Sequence, residues 1–466
     1  MLLDKKNNTD KNNLIKNAFD LPAPKKKFLV GNIIDFASDP LLFLTKCAHD
    51  YGDIIPIRFF GKPVIFLNKP EYIDQTLKDR ETFGKPQVLK DLYTLLGNGL
   101  LTSEGDSWFR QRRLAQPVFH QKRIATYGNI MVAYTEKMLE NWVDGEIRDI
   151  QADMMRLTLN IVMKSLFSQD PTEEEAADIT NAMHIAAQWM LSRNKSTFNL
   201  PETFPTPSNL RYRSAVAQMD KHIYHKISQR RSSGENFDDL LSMMMGARDE
   251  DDGSQMSDKQ LRDEISTLIF AGHETSANAL AWTFMLLCQN PKIQTQLRQE
   301  IQEVLGIQQD STHRSPTVTD IPALKYTNLV IKESMRLYPV VWSAVSETSK
   351  ECQIGEYQIP AGCTVMTSQW VMHRWEKYFD QAEAFKPERW QDDLEKKLPP
   401  GVYFPFGGGA RSCIGKSFAL MESVLLLATI IQKYEISLVP NQSIIPEPTI
   451  TLQPLNGIKI IVKANS

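Results

Sequence analysis

The sequence has few cysteines, no excess of one charge and no long apolar run. Its five cysteines include no C-x-x-C pair, which argues against a disulfide framework or a structural zinc site and favours a reducing compartment. Lys and Arg number 53 against 56 Asp and Glu, so the net charge of -3 does not predict a nucleic-acid partner. The polar N-terminus offers neither a signal peptide nor the ~20 apolar residues of a membrane-spanning helix. We therefore expect a soluble, cytoplasmic protein with no membrane anchor.

The interior of the chain also lacks a Gly/Ser-rich linker that would divide it. With 466 residues, of which 42% are hydrophobic and 23% charged, the chain is long enough to bury a large core. Residues 1–27 are rich in Asn and Lys and are predicted to form a flexible polar tail. We expect residues 28–466 to form a single domain.

The apolar periodicity predicts a fold that is mainly α with a smaller β portion (α+β). Residues 54–67 are typical of two short strands around a Gly-Lys turn. Near the C-terminus, Asn456-Gly457 lies between two apolar runs and predicts a hairpin. Apolar positions spaced three and four residues apart predict helices over 130–168, 176–193, 208–232 and 416–433.

The longest predicted helix begins after Ser257, which forms a capping-box pattern with Gln260, and it ends at Asn290-Pro291. Such a helix is long enough to cross a whole domain. Its middle is apolar on nearly every face, so we expect it to be buried. The polar residues within 271–275 are costly to place there, which suggests that they have a function.

A glycine-rich loop leads to Cys413 at the start of a helix, in the pattern F-x-x-G-x-R-x-C-x-G. The fixed positions are Phe406, Gly409, Arg411, Cys413 and Gly415. Backbone N–H groups at the helix start, together with Arg411, favour a thiolate over a thiol. A thiolate with a low pKa is a soft metal ligand or a nucleophile, whereas the ordinary alternative is a buried free cysteine.

With this loop the sequence resembles the cytochrome P450 family of heme-thiolate monooxygenases, in particular its soluble bacterial members. The resemblance implies the cytochrome P450 fold, with the long central helix over the distal face of heme b (iron protoporphyrin IX). It makes Cys413 the axial ligand to the iron and makes Phe406, Arg411 and Gly415 cofactor-binding residues. Hydrogen bonds from the N–H groups after Cys413 would then set the reduction potential.

The resemblance extends to an A-G-x-[DE]-T motif in the middle of the long helix, here Ala271 to Thr275. It implies that Glu274 and Thr275 are catalytic residues that deliver the protons for O–O cleavage. It also implies that Ala271 and Gly272 are cofactor-binding residues that leave room for O2. The alternative is that Thr275 only bonds a carbonyl group one turn back.

A third match is Glu333-x-x-Arg336, followed by Arg389 in a later segment. The resemblance implies that these three residues form a buried charge cluster with a structural role, which is costly to break. Outside that setting, such a pair is an ordinary exposed ion pair that contributes about 0.3–0.5 kcal/mol.

Trp108-x-x-x-Arg112 matches the family position that binds a heme propionate, and a bidentate guanidinium suits a carboxylate. The sequence departs from the family at Ser346, where many members have a second propionate-binding arginine. Either other donors such as His373 and Arg411 suffice, or the spacing is shifted.

The resemblance implies an enzyme that uses O2 and two electrons to insert one oxygen atom into a lipophilic substrate, such as a fatty acid or a terpenoid. Heme carries this chemistry, while the protein orients the substrate. Apolar residues are expected around the substrate, although each of them is equally compatible with an ordinary core position. These residues are Leu89, Leu92, Leu96, Leu268, Val341, Trp342 and Leu452.

The chain shows neither a flavin-domain motif nor ferredoxin cysteine spacing, so we expect electrons from a separate ferredoxin or flavodoxin with its reductase. Alternative functions are a heme-thiolate peroxygenase or isomerase, a non-catalytic heme sensor, and a cysteine-nucleophile hydrolase. The Glu274-Thr275 pair argues against the heme alternatives, because they need no proton relay. A docking patch for the electron donor, or an ordinary solvated face, is predicted at Arg110, Arg113, Lys122, Arg123 and Lys416.

Overall fold

The computed structural model describes residues 16–86, 89, 91–195, 200–235, 237–306 and 314–465. The predicted fold class, mainly α with a smaller β portion, is confirmed. The helices are α1 (Ile33–Ser38), α2 (Pro40–Tyr51), α3 (Pro70–Lys78), α4 (Tyr93–Leu96), α5 (Gly105–Ala115), α6 (Gln121–Ile124), α7 (Gly128–Leu139), α8 (Ile150–Phe167), α9 (Glu173–Lys195), α10 (Pro207–Ser233), α11 (Leu240–Gly246), α12 (Asp258–Gln289), α13 (Pro291–Leu305), α14 (Lys325–Leu337), α15 (Gln369–Met372), α16 (Leu394–Lys397) and α17 (Lys416–Lys433). The strands are β1 (Lys16–Asn17), β2 (Ile54–Phe59), β3 (Lys62–Leu67), β4 (Phe83–Gly84), β5 (Ile147–Asp149), β6 (Ala344–Thr348), β7 (Cys352–Ile354), β8 (Tyr357–Ile359), β9 (Thr364–Thr367), β10 (Tyr434–Leu438), β11 (Pro446–Pro448), β12 (Leu452–Pro454) and β13 (Lys459–Ala464).

The long helix α12 contributes to the largest hydrophobic core and packs most extensively against α8. Its predicted ends are confirmed, because Ser257 and Gln260 form the capping box and the helix stops before Asn290. Its 32 residues span about 48 Å, so this one element passes through the whole core. None of the helices in the described ranges, α12 included, has both the length and the apolar character needed to cross a bilayer.

The largest sheet has five strands in the order β2-β3-β9-β6-β4. Its first two strands are the predicted pair within residues 54–67, joined by a turn at Phe60-Gly61. Strand β6 pairs antiparallel with β9 on one side and with β4 on the other. The smaller sheets have the orders β1-β8-β7, β10-β13-β5 and β11-β12.

The single helix predicted over residues 130–168 is in fact two helices, α7 and α8, with the strand β5 between them. The chain turns at Gly145, whose φ of 78° favours glycine. Asp149 then caps α8 by accepting hydrogen bonds from the N–H groups of Gln151 and Ala152. These local signals outweigh the apolar periodicity that continues across them.

The hairpin predicted at Asn456-Gly457 is wrong, although the chain does turn there with a φ of 71° at Gly457. The strands on either side of the turn, β12 and β13, belong to different sheets. Strand β13 pairs with β10 along one edge and with β5 along the other, so neither edge is left for β12. Strand β12 pairs with β11 instead.

The folded part of the chain begins before residue 28. Strand β1 pairs in parallel with β8, and the side chain of Ala18 is fully buried. The guanidinium of Arg58 lies 5.0 Å from the ring centroid of Phe19. The predicted polar tail therefore does not extend to residue 27, and residues 1–15 lie outside the described part of the chain.

Candidate active site

Cys413 lies at the end of a tight glycine-rich loop, just before α17. Gly407 and Gly409 have φ values of 69° and 61°, and a Cβ on Gly409 would lie 2.2 Å from the carbonyl oxygen of Leu77. The N–H group of Cys413 donates to the carbonyl oxygen of Phe406 at 3.0 Å. Glycine is therefore needed where the loop passes α3. The closed loop leaves Cys413 with accessible surface, although the surrounding protein encloses much of its sulfur.

The groups around the Cys413 sulfur act against the effect of its burial. Burial raises the pKa of the thiol, whereas the N–H groups of Gly415 and Lys416 and the charge of Arg112 lower it. Burial is the largest effect, so the pKa lies above its ordinary value and the predicted net lowering is wrong. A metal ion bound to the sulfur reverses this balance, because a coordinating thiol is deprotonated.

Arg112 and Trp108 reach the Cys413 loop from α5. The guanidinium of Arg112 donates to the carbonyl oxygen of Ser412 at 3.0 Å. Arg411 lies over the indole ring of Trp108, 4.9 Å from its centroid, and not beside the thiol as predicted. Among the described residues, neither arginine has a carboxylate within 4.0 Å.

This set of donors fits a heme. The sulfur of Cys413, as a thiolate, would be the kind of soft ligand that holds heme iron in heme-thiolate proteins. Arg112 and Arg411 are partly buried cations whose pKa values are lowered by burial. Burying a cation without an anion is costly, and the two propionates of a heme would supply negative charge to Arg112 and Arg411.

The middle of α12 has one exposed residue, Ala271, in a helix that is otherwise largely buried. The hydroxyl of Thr275 donates to the carbonyl oxygen of Ala271 at 2.6 Å. This is the bond to a carbonyl group one turn back that was the alternative to a catalytic role for Thr275. The hydroxyl of Thr451 donates to the carboxyl of Glu274. Burial raises the pKa of Glu274, and the bond from Thr451 lowers it in part.

Gly272 leaves room towards α8 and not towards the predicted O2 site. A Cβ on Gly272 would lie 3.1 Å from Cγ2 of Val162, in the neighbouring helix α8. Its missing side chain therefore allows α12 and α8 to pack closely. Ala271 and Gly272 were both expected to leave room for O2, and of the two only Ala271 is exposed.

The structure brings Glu333, Arg336 and Arg389 together. The two carboxylate oxygens of Glu333 accept hydrogen bonds from Arg336 at 2.9 Å each, and Oε1 also accepts one from Arg389 at 2.8 Å. Trp390, which the sequence analysis did not single out, donates its indole N–H to Oε2 at 2.9 Å. Glu333 and Arg336 are 0% exposed. The cluster ties α14 to the 3-10 segment Pro387–Asp393.

His373 is not available as a propionate donor. Its ring is fully buried, and Nε2 accepts a hydrogen bond from the N–H group of Phe404 at 3.0 Å. Burial and the nearby charge of Arg336 lower the pKa of His373 well below its ordinary value. The imidazole is therefore neutral and is held by the backbone that leads into the Cys413 loop.

The apolar residues predicted around the substrate fall into two groups. The first group is buried and has the environment of ordinary core residues: Leu92, Leu96, Trp342 and Leu452. The second group keeps accessible surface: Leu89, Leu268 and Val341. The second group therefore retains the surface that contact with a substrate requires.

The sequence analysis did not single out Glu422, a buried acid. Glu422 on α17 is 0% exposed and faces Ser276 of α12. Burial raises the pKa of its carboxyl to about 8. Its position in the otherwise apolar α17 segment was a signal that could have been used.

The predicted docking patch is largely neutralised by acidic neighbours. Asp249 lies 2.7 Å from Arg113 and 3.4 Å from Arg110. Arg123 forms a further ion pair with Asp238 at 3.3 Å. The side chain of Lys122 lies outside the described residues, and Lys416 is exposed. A cleft of about 920 Å³ nevertheless opens beside the Cys413 loop, lined in part by Arg80, Phe109, Arg112, His120 and Ser412.

Comparison with known proteins gives consistent matches over nearly the whole chain. A family model described as Cytochrome P450 matches residues 21–462. The chain is 34% identical to cyclooctat-9-en-7-ol 5-monooxygenase of Streptomyces melanosporofaciens, over 91% of this chain and 90% of that protein. It is 33% identical to cyclooctatin synthase of the same organism, over 92% and 93%. Pentalenene oxygenase of Streptomyces avermitilis is 30% identical, over 95% and 97%.

Proposed function

This chain belongs to the cytochrome P450 family, and we propose that it oxidises a terpenoid-like substrate with heme b held through Cys413. Membership of the family makes it a heme-iron monooxygenase that uses O2, an organic substrate and redox partners. One observation carries the assignment of the site. Cys413 is exposed at the end of its loop, next to Arg112, which has no carboxylate within 4.0 Å in the described ranges.

The names of the relatives support the class of substrate. Two of them are named for oxidising cyclooctat-9-en-7-ol and pentalenene, which are terpenoids. The residues with accessible surface among those predicted to contact the substrate are apolar. A lipophilic, terpenoid-like substrate agrees with both observations.

A bound heme supplies the activation of O2 and accepts the electrons. In this proposal Cys413 holds the iron, and Arg112 and Arg411 hold propionate charge. Trp108 supports Arg411 through its indole ring, 4.9 Å from the guanidinium. Phe406 and Gly415 belong to the same cofactor-binding loop.

Glu274 and Thr275 are proposed to move protons towards the site. The carboxyl of Glu274 takes up a proton more readily than an ordinary glutamate does, because burial raises its pKa. Thr275 must release the carbonyl oxygen of Ala271 before its hydroxyl can donate elsewhere. This acid and alcohol pair favours a monooxygenase over a peroxygenase, an isomerase or a non-catalytic heme sensor.

The organisation of the chain completes the proposal. We take the largest core cluster, which includes residues from Leu41 to Val462, as the core of one heme domain. The cluster of Glu333, Arg336 and Arg389 has a structural role in it. The five cysteines form no disulfide, which supports a reducing, cytoplasmic location.

We assign the electron donor to a separate ferredoxin or flavodoxin with its reductase. The cleft beside the Cys413 loop is lined in part by Arg80, which has no carboxylate within 4.0 Å in the described ranges, and it adjoins the loop that would hold the iron. Ferredoxins and flavodoxins are acidic, so this local positive charge suits them even though the whole chain has a net charge of -3.

Two measurements test the proposal. Reduced protein exposed to CO is expected to show the red-shifted Soret band of a thiolate opposite CO, and Cys413→His is expected to abolish it. Titration with cyclic terpenes and with fatty acids is then followed by the spin state of the iron, and terpenes are expected to shift it at lower concentration. An unchanged CO spectrum in Cys413→His would refute the ligand, and a response to fatty acids alone would refute the substrate class.

A further inference from the structure

Two adjacent apolar side chains protrude from the loop that precedes α1. Phe28 is 90% exposed and Leu29 is 79% exposed, which are the two highest values among the large hydrophobic residues in the described part of the chain. Single exposed apolar residues are common on protein surfaces, whereas contiguous exposed apolar side chains mark interaction sites. We call Phe28 and Leu29 the apolar tip.

The apolar tip lies on a closed loop with a fixed base. Lys27 and Gly31 exchange two backbone hydrogen bonds of 2.9 Å each, which leaves residues 28–30 as the loop between them. A Cβ on Gly31 would clash with the carbonyl oxygen of Arg58, so only glycine fits where the base of the loop meets β2. The base is therefore held against the large sheet, while the tip stays in solvent.

Leu29 has a backbone conformation that favours glycine. Its φ is 65°, in the left-handed region, where a leucine side chain is unfavourable. Within the described ranges, Leu29 belongs to none of the hydrophobic clusters, so no packing contact compensates for this conformation. An unfavourable conformation without an internal contact indicates that the side chain acts outside the molecule.

Positive charge lies directly beside the apolar tip. Lys25, Lys26 and Lys27 precede the tip in the sequence, and all three are exposed. Lys27 pairs with Asp35 at 2.7 Å, whereas Lys25 and Lys26 have no carboxylate within 4.0 Å among the described residues. The buried side chain of Asn32 donates to the carbonyl oxygen of Lys25 at 3.1 Å. This bond keeps the basic segment next to the tip.

The size of the tip and the charge around it indicate the kind of partner. Residues 1–27 contain seven Lys and three Asp, with neither Glu nor Arg, in a chain whose net charge is -3. The partner is therefore expected to be negative. A specific protein complex buries about 800 Å² on each partner, far more than two side chains supply. A lipid bilayer needs no complementary shape, because its interface takes up apolar side chains and its anionic headgroups attract lysines.

We propose that the apolar tip inserts into the interface of a bilayer that contains anionic phospholipid, with Lys25 and Lys26 against the headgroups. The contact is peripheral and reversible, because two side chains bury little apolar surface. It adds a surface to the proposed function and does not depend on a bound heme, so either proposal can fail without the other. A lipophilic substrate dissolves in the same bilayer, so the contact would bring the protein to it.

Sedimentation of the full-length protein with lipid vesicles tests the proposal. The wild type is expected to bind phosphatidylcholine vesicles that contain about one third phosphatidylglycerol, and to bind pure phosphatidylcholine vesicles far more weakly. Phe28→Ser/Leu29→Ser is expected to weaken binding to the anionic vesicles by at least about tenfold. Lys25→Gln/Lys26→Gln is expected to weaken it on the order of tenfold at low salt, and the difference should vanish towards 1 M salt.

The matched control is Val143→Ser/Ile147→Ser. These two side chains are also exposed, by 65% and 59%, and the variant removes as many apolar side chains as the tip variant does. Asp144 and Glu146 lie beside them in the sequence, so an anionic surface should repel this segment. The control variant should therefore bind the anionic vesicles as the wild type does.

Three outcomes would overturn the proposal. The first is a wild type that does not bind anionic vesicles at low salt, and the second is equal binding by the wild type and Phe28→Ser/Leu29→Ser. The third is a wild type that is dimeric without lipid and becomes monomeric in that variant, because the tip would then contact a second copy of the chain. A protein that binds vesicles through the tip but takes up no heme would refute the proposed function alone.

A second measurement decides if Phe28→Ser/Leu29→Ser does not fold. Phe28→Trp places an indole at the tip, and its added fluorescence is expected to be quenched by lipids that carry bromine in their acyl chains. Val143→Trp should show no such quenching. Quenching in Phe28→Trp alone supports insertion of the tip, and unquenched fluorescence on bound vesicles overturns it.

Discussion

The carboxyl group of Glu422 is fully buried, and neither of its oxygens has a hydrogen bond of good geometry within the described residues. Burial raises its pKa from 4.5 to about 8, and the nearby Ser276 offsets only part of this rise. Between these pH values the unfolded chain loses the proton while the folded protein keeps it. Stability therefore falls as the pH rises through this range, and it does not recover above it.

We predict that Glu422→Gln removes this pH dependence. The variant should match the wild type near pH 4.5 and should be more stable at pH 9, by on the order of 4 kcal/mol. Urea unfolding of both proteins across this range measures the difference. Glu140→Gln, at an exposed position, should follow the wild type. Parallel curves for Glu422→Gln and the wild type would show that the carboxyl is not held protonated.

Residues in a motif with fixed spacing could be predicted, whereas residues that act through a distant neighbour could not. Cys413, Glu274 and Thr275 stand in short patterns that the sequence displays directly. The pairing of β4 with β6, by contrast, joins two strands more than 250 residues apart along the chain. No local pattern contains that information.

At the scale of elements, a single carboxylate connects α14 to the segment that follows the large sheet. Glu333 accepts hydrogen bonds from Arg336, Arg389 and Trp390, and it also accepts one from the N–H group of Lys386 at 3.0 Å. Two of these donors are charged and largely buried. Within the described ranges, Glu333 is the only carboxylate at salt-bridge distance from Arg336 and Arg389.

We predict that Glu333→Gln destabilises the protein by about 3–5 kcal/mol, because it leaves buried arginine charge without a counterion. The matched control is Glu395→Gln. It breaks an exposed ion pair, 2.7 Å long, between Glu395 and Lys332, which lies next to Glu333 on α14. That change should cost less than about 1 kcal/mol. Equilibrium unfolding in urea measures both. Equal losses for the two variants would show that burial adds nothing to the importance of Glu333.

The predictability of the elements follows the same division between local and distant information. The ends of α12 were predicted because a capping box and an Asn-Pro step define them locally. The C-terminal hairpin was predicted wrongly because β13 pairs with β10 and β5, and β5 lies about 300 residues earlier in the chain. Turn chemistry therefore located the turn at Gly457 correctly and left the strand pairing undetermined.

At the scale of the whole molecule, charge is balanced by contacts between distant segments. Asp249 and Asp251 belong to the loop before α12, and they pair with Arg113 on α5, more than 130 residues away. The sequence analysis counted Arg110 and Arg113 as free basic residues because it could not place this loop against that helix. The cleft beside the Cys413 loop, which is lined in part by Arg80, still offers positive charge to an acidic donor.

Arg80 provides the test of how an electron donor recognises this face. Its guanidinium lies 3.5 Å from the ring centroid of Phe109, and no carboxylate within the described residues lies at salt-bridge distance from it. We predict that Arg80→Gln raises the KM for a reduced [2Fe–2S] ferredoxin about three- to tenfold at low salt. The difference should shrink towards 1 M salt, where the Debye length falls to about 3 Å.

The control for this prediction is Arg156→Gln, at an exposed arginine that pairs with Glu173 at 2.8 Å, away from the cleft. It should change neither the KM nor its dependence on salt. The CO spectrum and the substrate-induced spin shift of Arg80→Gln must match the wild type, which separates docking from damage to the heme site. If Arg80→Gln and Arg156→Gln give the same KM across the salt series, the donor docks elsewhere. The cleft beside Cys413 would then have to be abandoned as the electron-entry face.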